Sequence, residues 1–142
     1  MLIDGHIHLE NGPLSEEYVM RFVNAGVKMG LDELHILDHT HRFIEFSPMY
    51  EGLKKASSYQ KEWFDKKHPE PLANYHRLIE KMKQKELPLR VKWGLEVCYA
   101  PESKPLLKKV LAAYPYDFLI GSIHSIDNLL YDMPFSKEIL WL

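Results

Sequence analysis

Four short apolar segments, spread along a chain of 142 residues, each end in side chains that bind metal ions. They are Met1-Leu-Ile-Asp-Gly-His6-Ile-His8, Leu34-His-Ile-Leu-Asp38-His39-Thr-His41, Val91-Lys-Trp-Gly-Leu-Glu96 and Phe118-Leu-Ile-Gly-Ser-Ile-His124. If these are parallel strands, their carboxyl ends share one face, the face on which α/β barrels gather active-site groups. Imidazoles and a carboxylate meeting there form a site for a divalent ion that activates water.

The intervening sequence reads as helices. Ser15 is an N-cap, Glu16 and Glu17 make an acidic first turn, and Val19, Phe22, Val23, Gly26 and Val27 recur at helical spacing up to Gly30, a plausible stop. Residues 33–38 form the next strand. From His39 to about Gly52 the chain is aromatic and polar, with Pro48 as its one strong break, and is expected to lack regular structure. Residues 51–67 and 71–87 read as two helices separated by Pro69 and Pro71. Strand 90–97 follows, then a helix carrying Leu106, Leu107, Val110 and Leu111 between Pro101 and Pro115, then strand 117–123. This alternation predicts an α/β fold of about four parallel strands with flanking helices, in one domain over residues 1–142.

Composition narrows the function. A formal charge of −2 and a pI near 6.4 give no general affinity for nucleic acid or a membrane surface, so neither partner is expected. The single cysteine, Cys98, excludes an intramolecular disulfide and fits a reducing compartment; without an apolar run of membrane-spanning length, a cytoplasmic location is expected. Cys98 has no Cys-x-x-Cys partner to suggest redox chemistry.

Eight histidines placed at random in this length give about 0.4 His-x-His triplets, so the triplet alone is weak. Two occur, and their location strengthens them. His6 and His8 alternate along a strand, so both rings face one side and reach one cation. Asp4 shares that parity, as an orienting or structural carboxylate. His39 is the first residue past its strand and so the best anchored ligand of its cluster; His41 is open between ligand and neighbour, and Asp38 between orienting partner and cap. Glu96 ends an apolar strand, where a carboxylate is costly unless paired or metal-bound, and its two oxygens suit a bridge between two ions. Gly94 in that strand permits close backbone approach. His124 ends the last strand in the same way. Arg42 reads either as a planar clamp on a substrate phosphate or as a surface arginine pairing with Glu45. His35, His68 and His76 are read as ordinary structural residues.

Asp4-Gly-His6-Ile-His8, Leu37-Asp38-His39-Thr-His41-Arg42, Gly94-Leu-Glu96-Val-Cys98 and Gly121-Ser-Ile-His124 together resemble, in order and over most of the chain, the first motifs of the polymerase and histidinol phosphatase (PHP) family, most closely its histidinol-phosphatase branch. The resemblance implies a distorted (β/α) barrel of seven strands holding two or three divalent ions, commonly Zn²⁺, Mn²⁺ or Fe. It implies hydrolysis of a small phosphorylated substrate, L-histidinol phosphate in histidine biosynthesis, by water activated at the ions with no protein nucleophile. Carried over, His6 and His8 hold one ion, Glu96 bridges it to a second that His124 binds, and His39 serves a third. Glu10 lies near another ligand position of the family, yet reads as an exposed loop carboxylate.

The family pattern continues to a late histidine and an Asp-x-His pair, whereas the 18 residues after His124 contain no histidine. The resemblance therefore covers the amino-terminal portion of an incomplete PHP-type barrel. It is expected to be a truncated product, a piece completed by another chain, or a half-barrel that self-associates through its open edges. The alternatives to a phosphatase are a catalytically incomplete metal-binding or assembly fragment and, with less support, a PHP-type nuclease.

Overall fold

All four apolar segments form strands of one parallel sheet. In the computed structural model, which describes residues 1–140, β1 (Ile3–Ile7), β2 (Glu33–His39), β3 (Arg90–Cys98) and β4 (Phe118–Ser122) lie side by side in the order β1-β2-β3-β4. Spatial order that follows chain order, with helices between, is how an α/β barrel is built strand by strand. Four such strands make an incomplete barrel, with free edges at β1 and β4 among the described residues.

Register decides which side chains share a face. His39 is opposite Glu96, and Cys98 is opposite Ser122, so these residues point to the inner face together. The alternate residues Leu34 and Ile36 of β2 and Trp93, Leu95 and Val97 of β3 point outward and are buried under helices. Their cover comes from Val19 and Val23 of α1 (Glu16–Lys28) and from Tyr75, Leu78, Ile79 and Met82 of α4 (Leu72–Lys83). The Tyr75 hydroxyl donates to the carbonyls of Gly94, at 2.9 Å, and Ile36, at 3.3 Å, tying α4 to both central strands.

The expected stops operate as read. Ser15 Oγ accepts the Tyr18 N–H at 3.2 Å to start α1, and Gly30, at φ +72°, takes the left-handed turn beyond its end. Gly94 is required by close approach, since a Cβ there would lie 2.6 Å from the Phe118 carbonyl oxygen of β4.

Four local expectations change. The connection after β2 is not irregular: 3₁₀ turns at Thr40–Arg42 and Ile44–Tyr50 bury Phe43 and Phe46 completely, so its aromatic residues are core rather than loop. The helix expected over 51–67 is broken at Ser57, extended at φ −155° and ψ 137°, into α2 (Glu51–Ala56) and α3 (Ser58–Asp65). Helix α4 stops at Lys83, short of Leu87, whose position before Pro88 disfavours helical backbone. After α5 (Lys104–Leu111) and β4, where no further element was expected, a hairpin of β5 (Ser125–Ile126) and β6 (Leu129–Leu130) turns through Asp127 and Asn128, both at positive φ, and leads to α6 (Ser136–Leu140). Asp and Asn tolerate that conformation better than most residues.

The hairpin is pinned by a residue that periodicity does not single out. Gln60 of α3 is fully buried, donates to the carbonyls of Leu53 and Asn128 at 2.6 and 2.9 Å, and accepts the Leu130 N–H at 2.7 Å.

Candidate metal centre

The inner-face residues at the carboxyl ends of the strands converge on Glu96. Its Oε2 lies 2.8 Å from His6 Nε2 and 3.4 Å from His8 Nε2, and those two ring nitrogens are 3.0 Å apart. Its Oε1 lies 3.0 Å from His124 Nε2 and 3.4 Å from His39 Nε2. One carboxylate thus divides four imidazoles into two pairs. Donor atoms held about 2.0–2.1 Å from a tetrahedral ion stand about 3.4 Å from one another, close to the spacing here. Among the described residues three groups have the proximity to hold an ion: His6, His8 and Glu96; His39, Glu96 and His124; and His8, Glu10 and His39.

The chemistry of the donors also fits a cation. Glu96 is 7% exposed, a position that opposes its charge, yet the surrounding imidazoles, His39 and the hydrogen-bonded His6 foremost, hold its carboxyl below the usual range. Among the described residues His8 Nδ1 is buried without a hydrogen-bond partner, and its Nε2 stands 3.0 Å from His6 Nε2 and 3.4 Å from Glu96 Oε2. A buried ring nitrogen without a partner, in a cluster of ring nitrogens and carboxylate oxygens, is a costly arrangement that a shared cation would relieve.

Glu10 is not the exposed loop carboxylate expected. Its side chain is 20% exposed, and one oxygen, Oε1, receives both the main-chain N–H of His39, at 2.8 Å, and the His39 ring at Nδ1. Burial works against the Glu10 charge, but the His39 hydrogen bonds and the His41 and His39 rings bring its pKa down to about 2. An ionised carboxylate only accepts, so Nδ1 of His39 carries the hydrogen and Nε2 is the ring nitrogen turned toward Glu96; burial opposes charge on the ring, but the Glu10 contacts raise the His39 pKa. The sequence held a usable signal: His6, His8 and Glu10 share one parity.

His124 has a parallel arrangement. Its Nδ1 meets Cys98 Sγ at 3.2 Å and Ser122 Oγ at 3.4 Å, groups brought opposite one another by the β3–β4 register. Burial raises the Cys98 pKa, so the group is a thiol at neutral pH and a poor nucleophile.

The remaining candidates stand around this cluster. His41 is largely covered and close to Glu10, Nε2 to Oε2 at 3.6 Å, and burial drives its pKa down to about 4. Arg42 does not pair with Glu45, whose carboxylate instead accepts the Leu72 N–H. It is 9% exposed, and its guanidinium donates to Asp38 at 3.0 Å, the Gly12 carbonyl at 2.8 Å and Glu70 at 3.2 Å. Three protein acceptors therefore occupy the fork that was expected to clamp a phosphate. Asp38, fully buried on the outward side of β2, also accepts the Leu9 N–H at 2.6 Å and so fixes the segment between His8 and Glu10; burial pushes its pKa up to about 6 against the pull of Arg42. Asp4 accepts the His6 N–H at 3.3 Å and stays exposed. His35 pairs with Glu33 at 2.6 Å lower on the inner face, and His76 lies in the helix layer; neither reaches the cluster.

Beside the centre is a cavity of about 170 Å³. Glu10, His39, His41 and His124 form the side toward the Glu96 cluster, Met49, Tyr50, Leu53, Trp63, Phe64 and Met133 form an apolar wall, and Asp132 also lines it.

Four imidazoles around one carboxylate, at the carboxyl ends of the strands of an incomplete α/β barrel, make a donor set of the kind that holds metal ions in hydrolases. Residues 4–140 match the PHP domain, and the chain belongs to the PHP family. It is 25% identical over 131 residues to the histidinol-phosphatase of Lactococcus lactis subsp. lactis (strain IL1403), an alignment covering 92% of this chain and 42% of that protein. The chain thus spans less than half the length of the curated relative it matches. Among the described residues no helix is long and apolar enough to cross a membrane.

Proposed function

We propose that the chain carries the metal centre of a phosphomonoester hydrolase acting on L-histidinol phosphate. The observation that carries this reading is the division of Glu96 between two imidazole pairs, Oε2 toward His6 and His8 and Oε1 toward His39 and His124. Two adjacent sites sharing a carboxylate suit a phosphate, whose oxygens need neutralising at more than one point.

His6, His8 and Glu96 would hold one divalent ion, and Glu96, His39 and His124 a second; the donor set suits Zn²⁺, Mn²⁺ or Fe²⁺. This grouping differs from the one implied by family resemblance, in which His39 serves a third ion. A third ion would have His8, Glu10 and His39 as its nearest donors. Ions held there supply Lewis acidity to a phosphoryl group and lower the pKa of water. The protein's own part is orientation. Glu10 fixes the His39 tautomer, Cys98 and Ser122 set the His124 ring, and the Asp38–Arg42 pair anchors the strand ends from behind. Arg42 has this positioning role rather than contact with substrate.

The cavity favours a small monoester over a nucleic acid. A volume near 150 Å³ accommodates about one benzene-sized ring, so about 170 Å³ takes an imidazole and not a nucleotide chain. Cytoplasmic histidine biosynthesis is the setting this substrate implies.

Phosphate release from L-histidinol phosphate by the chain loaded with Zn²⁺ or Mn²⁺, abolished by His8→Ala, is the expected result. A full complement of metal without phosphate release would contradict turnover by this chain. That outcome would favour a second reading, a metal-binding piece that works only with a further chain or a second copy paired to the free edges of β1 and β4.

A further inference from the structure

Resting on the second reading above, in which this chain works with a further one, we propose that the lower inner face of the sheet is a docking surface for a polypeptide strand with acidic inward side chains, carried by a chain of different sequence. The observation is a charged floor where α/β barrels ordinarily pack layers of Val, Ile and Leu. Glu33 is opposite Arg90 and His35 is opposite Lys92, and alternation places all four on the inner face below His39 and Glu96.

This floor carries an excess of positive charge. The Glu33 side chain is 3% exposed and meets His35 Nε2 at 2.6 Å, Arg90 Nε at 3.0 Å and Lys92 Nζ at 3.2 Å. Among the described residues neither Arg90 nor Lys92 has another ion-pair partner; the further contact of Arg90 is the Met1 sulfur at 3.0 Å, a weak acceptor. Asp32, at the same end of the sheet, accepts the Leu2 N–H at 2.6 Å and lies 3.8 Å from the terminal ammonium. Two cations therefore share one carboxylate, and their side chains are 66% and 49% exposed on the open side of the half-barrel.

Water balances that charge while the sheet is open. A segment that pairs with the free edge of β1 or β4 encloses the floor and displaces the water, and a buried charge then needs an opposite one. A second copy of this chain does not supply it. Two such floors enclose four cations with two carboxylates, and like charges in one interior oppose association. A strand with inward glutamate or aspartate balances the excess, since every second side chain of an added strand faces the floor.

The test measures, by fluorescence anisotropy on the Zn²⁺-loaded chain, binding of a labelled octapeptide of alternating valine and glutamate against its counterpart of valine and lysine. The whole chain has a formal charge of −2, so general attraction favours the lysine peptide and a preference for glutamate must be local. The wild-type chain is expected to prefer the glutamate peptide roughly tenfold or more. Lys92→Gln is expected to bring the ratio near one and the double variant Arg90→Glu, Lys92→Glu to reverse it, each with folding verified by circular dichroism, whereas Lys108→Glu on α5 should leave it unchanged. Equal binding, a preference for lysine or no binding of either peptide by the wild-type chain would overturn the proposal. So would a glutamate preference that survives the double variant, which would place the peptide on the bound ions, or one that Lys108→Glu removes. Wild-type self-association in sedimentation that the double variant weakens would make a second copy the occupant and overturn it too. All these outcomes leave the second reading standing; phosphate release from L-histidinol phosphate by the monomeric chain would instead overturn that reading and this proposal with it.

Discussion

A single oxygen of Glu10 receives both the main-chain N–H and the imidazole Nδ1 of His39. That double contact sets the rotation of the ring and its tautomer together, and leaves Nε2 as the nitrogen presented to Glu96. Glu10→Gln keeps the shape but places an amide where an ionised acceptor stood. Metal affinity is expected to fall by about 10- to 100-fold, the range for losing the partner of a ligating histidine. A competition titration with a chromophoric chelator checks this, and unchanged affinity would show that Glu10 does not hold His39.

At Gly94 the limit is steric. An added Cβ would come within 2.6 Å of the Phe118 carbonyl oxygen and 2.8 Å of its ring, in the layer directly beneath Glu96. Gly94→Ala is expected to lower stability by about 1–3 kcal/mol, typical of overpacking, read as a reduced urea midpoint. Gly121, with no atom within 4 Å of a Cβ, is the control, and its alanine variant should change far less.

His76 gives a pH dependence separate from the metal site. Its ring lies flat on Tyr114, with centroids 3.9 Å apart and planes 4° from parallel, and among the described residues its buried Nε2 has no hydrogen-bond partner. Burial, with a smaller push from Lys83, lowers its pKa from 6.5 to about 4. Because the folded pKa is depressed, the unfolded chain binds more protons between these values. The contribution to stability is complete above about pH 6.5 and is lost as pH falls toward about 4, on the order of 2–3 kcal/mol. In His76→Phe, which keeps a ring against Tyr114, the urea midpoint should fall less than in the wild type between about pH 7 and about pH 4.5. An identical fall in both would remove His76 from the explanation.

Gln60→Leu should loosen the hairpin. The change strands the Leu53 and Asn128 carbonyls and the Leu130 N–H, at about 1–3 kcal/mol for each group that stays buried without water. Faster amide exchange at Leu130 is the specific expectation, and protection equal to the wild type would contradict the anchoring role.

The convergence of the strand-end donors was legible because period-two alternation and a terminal imidazole or carboxylate are both local facts, as at His6 and His8. Alternation also makes β-strand assignment robust for Val91 to Glu96. What escaped was tertiary. Phe43 and Phe46 look like loop residues until α4 and the sheet supply the surface that buries them. Glu10 reads as exposed because its burial depends on the Leu9 N–H reaching Asp38, 29 residues away. Arg42 keeps its place beside the cluster, but its guanidinium is occupied by Asp38, four residues earlier in β2 and met because the 3₁₀ turn folds the chain back, and by Glu70, which the later chain brings up. Asp132 arrives by a hairpin whose turn needs two positive-φ residues, and nothing in its own neighbourhood advertises the His124 ring.

The central claim is that Glu96 joins two ion sites. Metal content after saturation with Zn²⁺ and removal of excess tests it most directly, measured for the wild-type chain and for Glu96→Ala with folding verified by circular dichroism. The expected result is at least two ions per wild-type chain and loss of both tight sites in the variant. One ion or none in the wild-type chain, or an unchanged complement in Glu96→Ala, would contradict the claim.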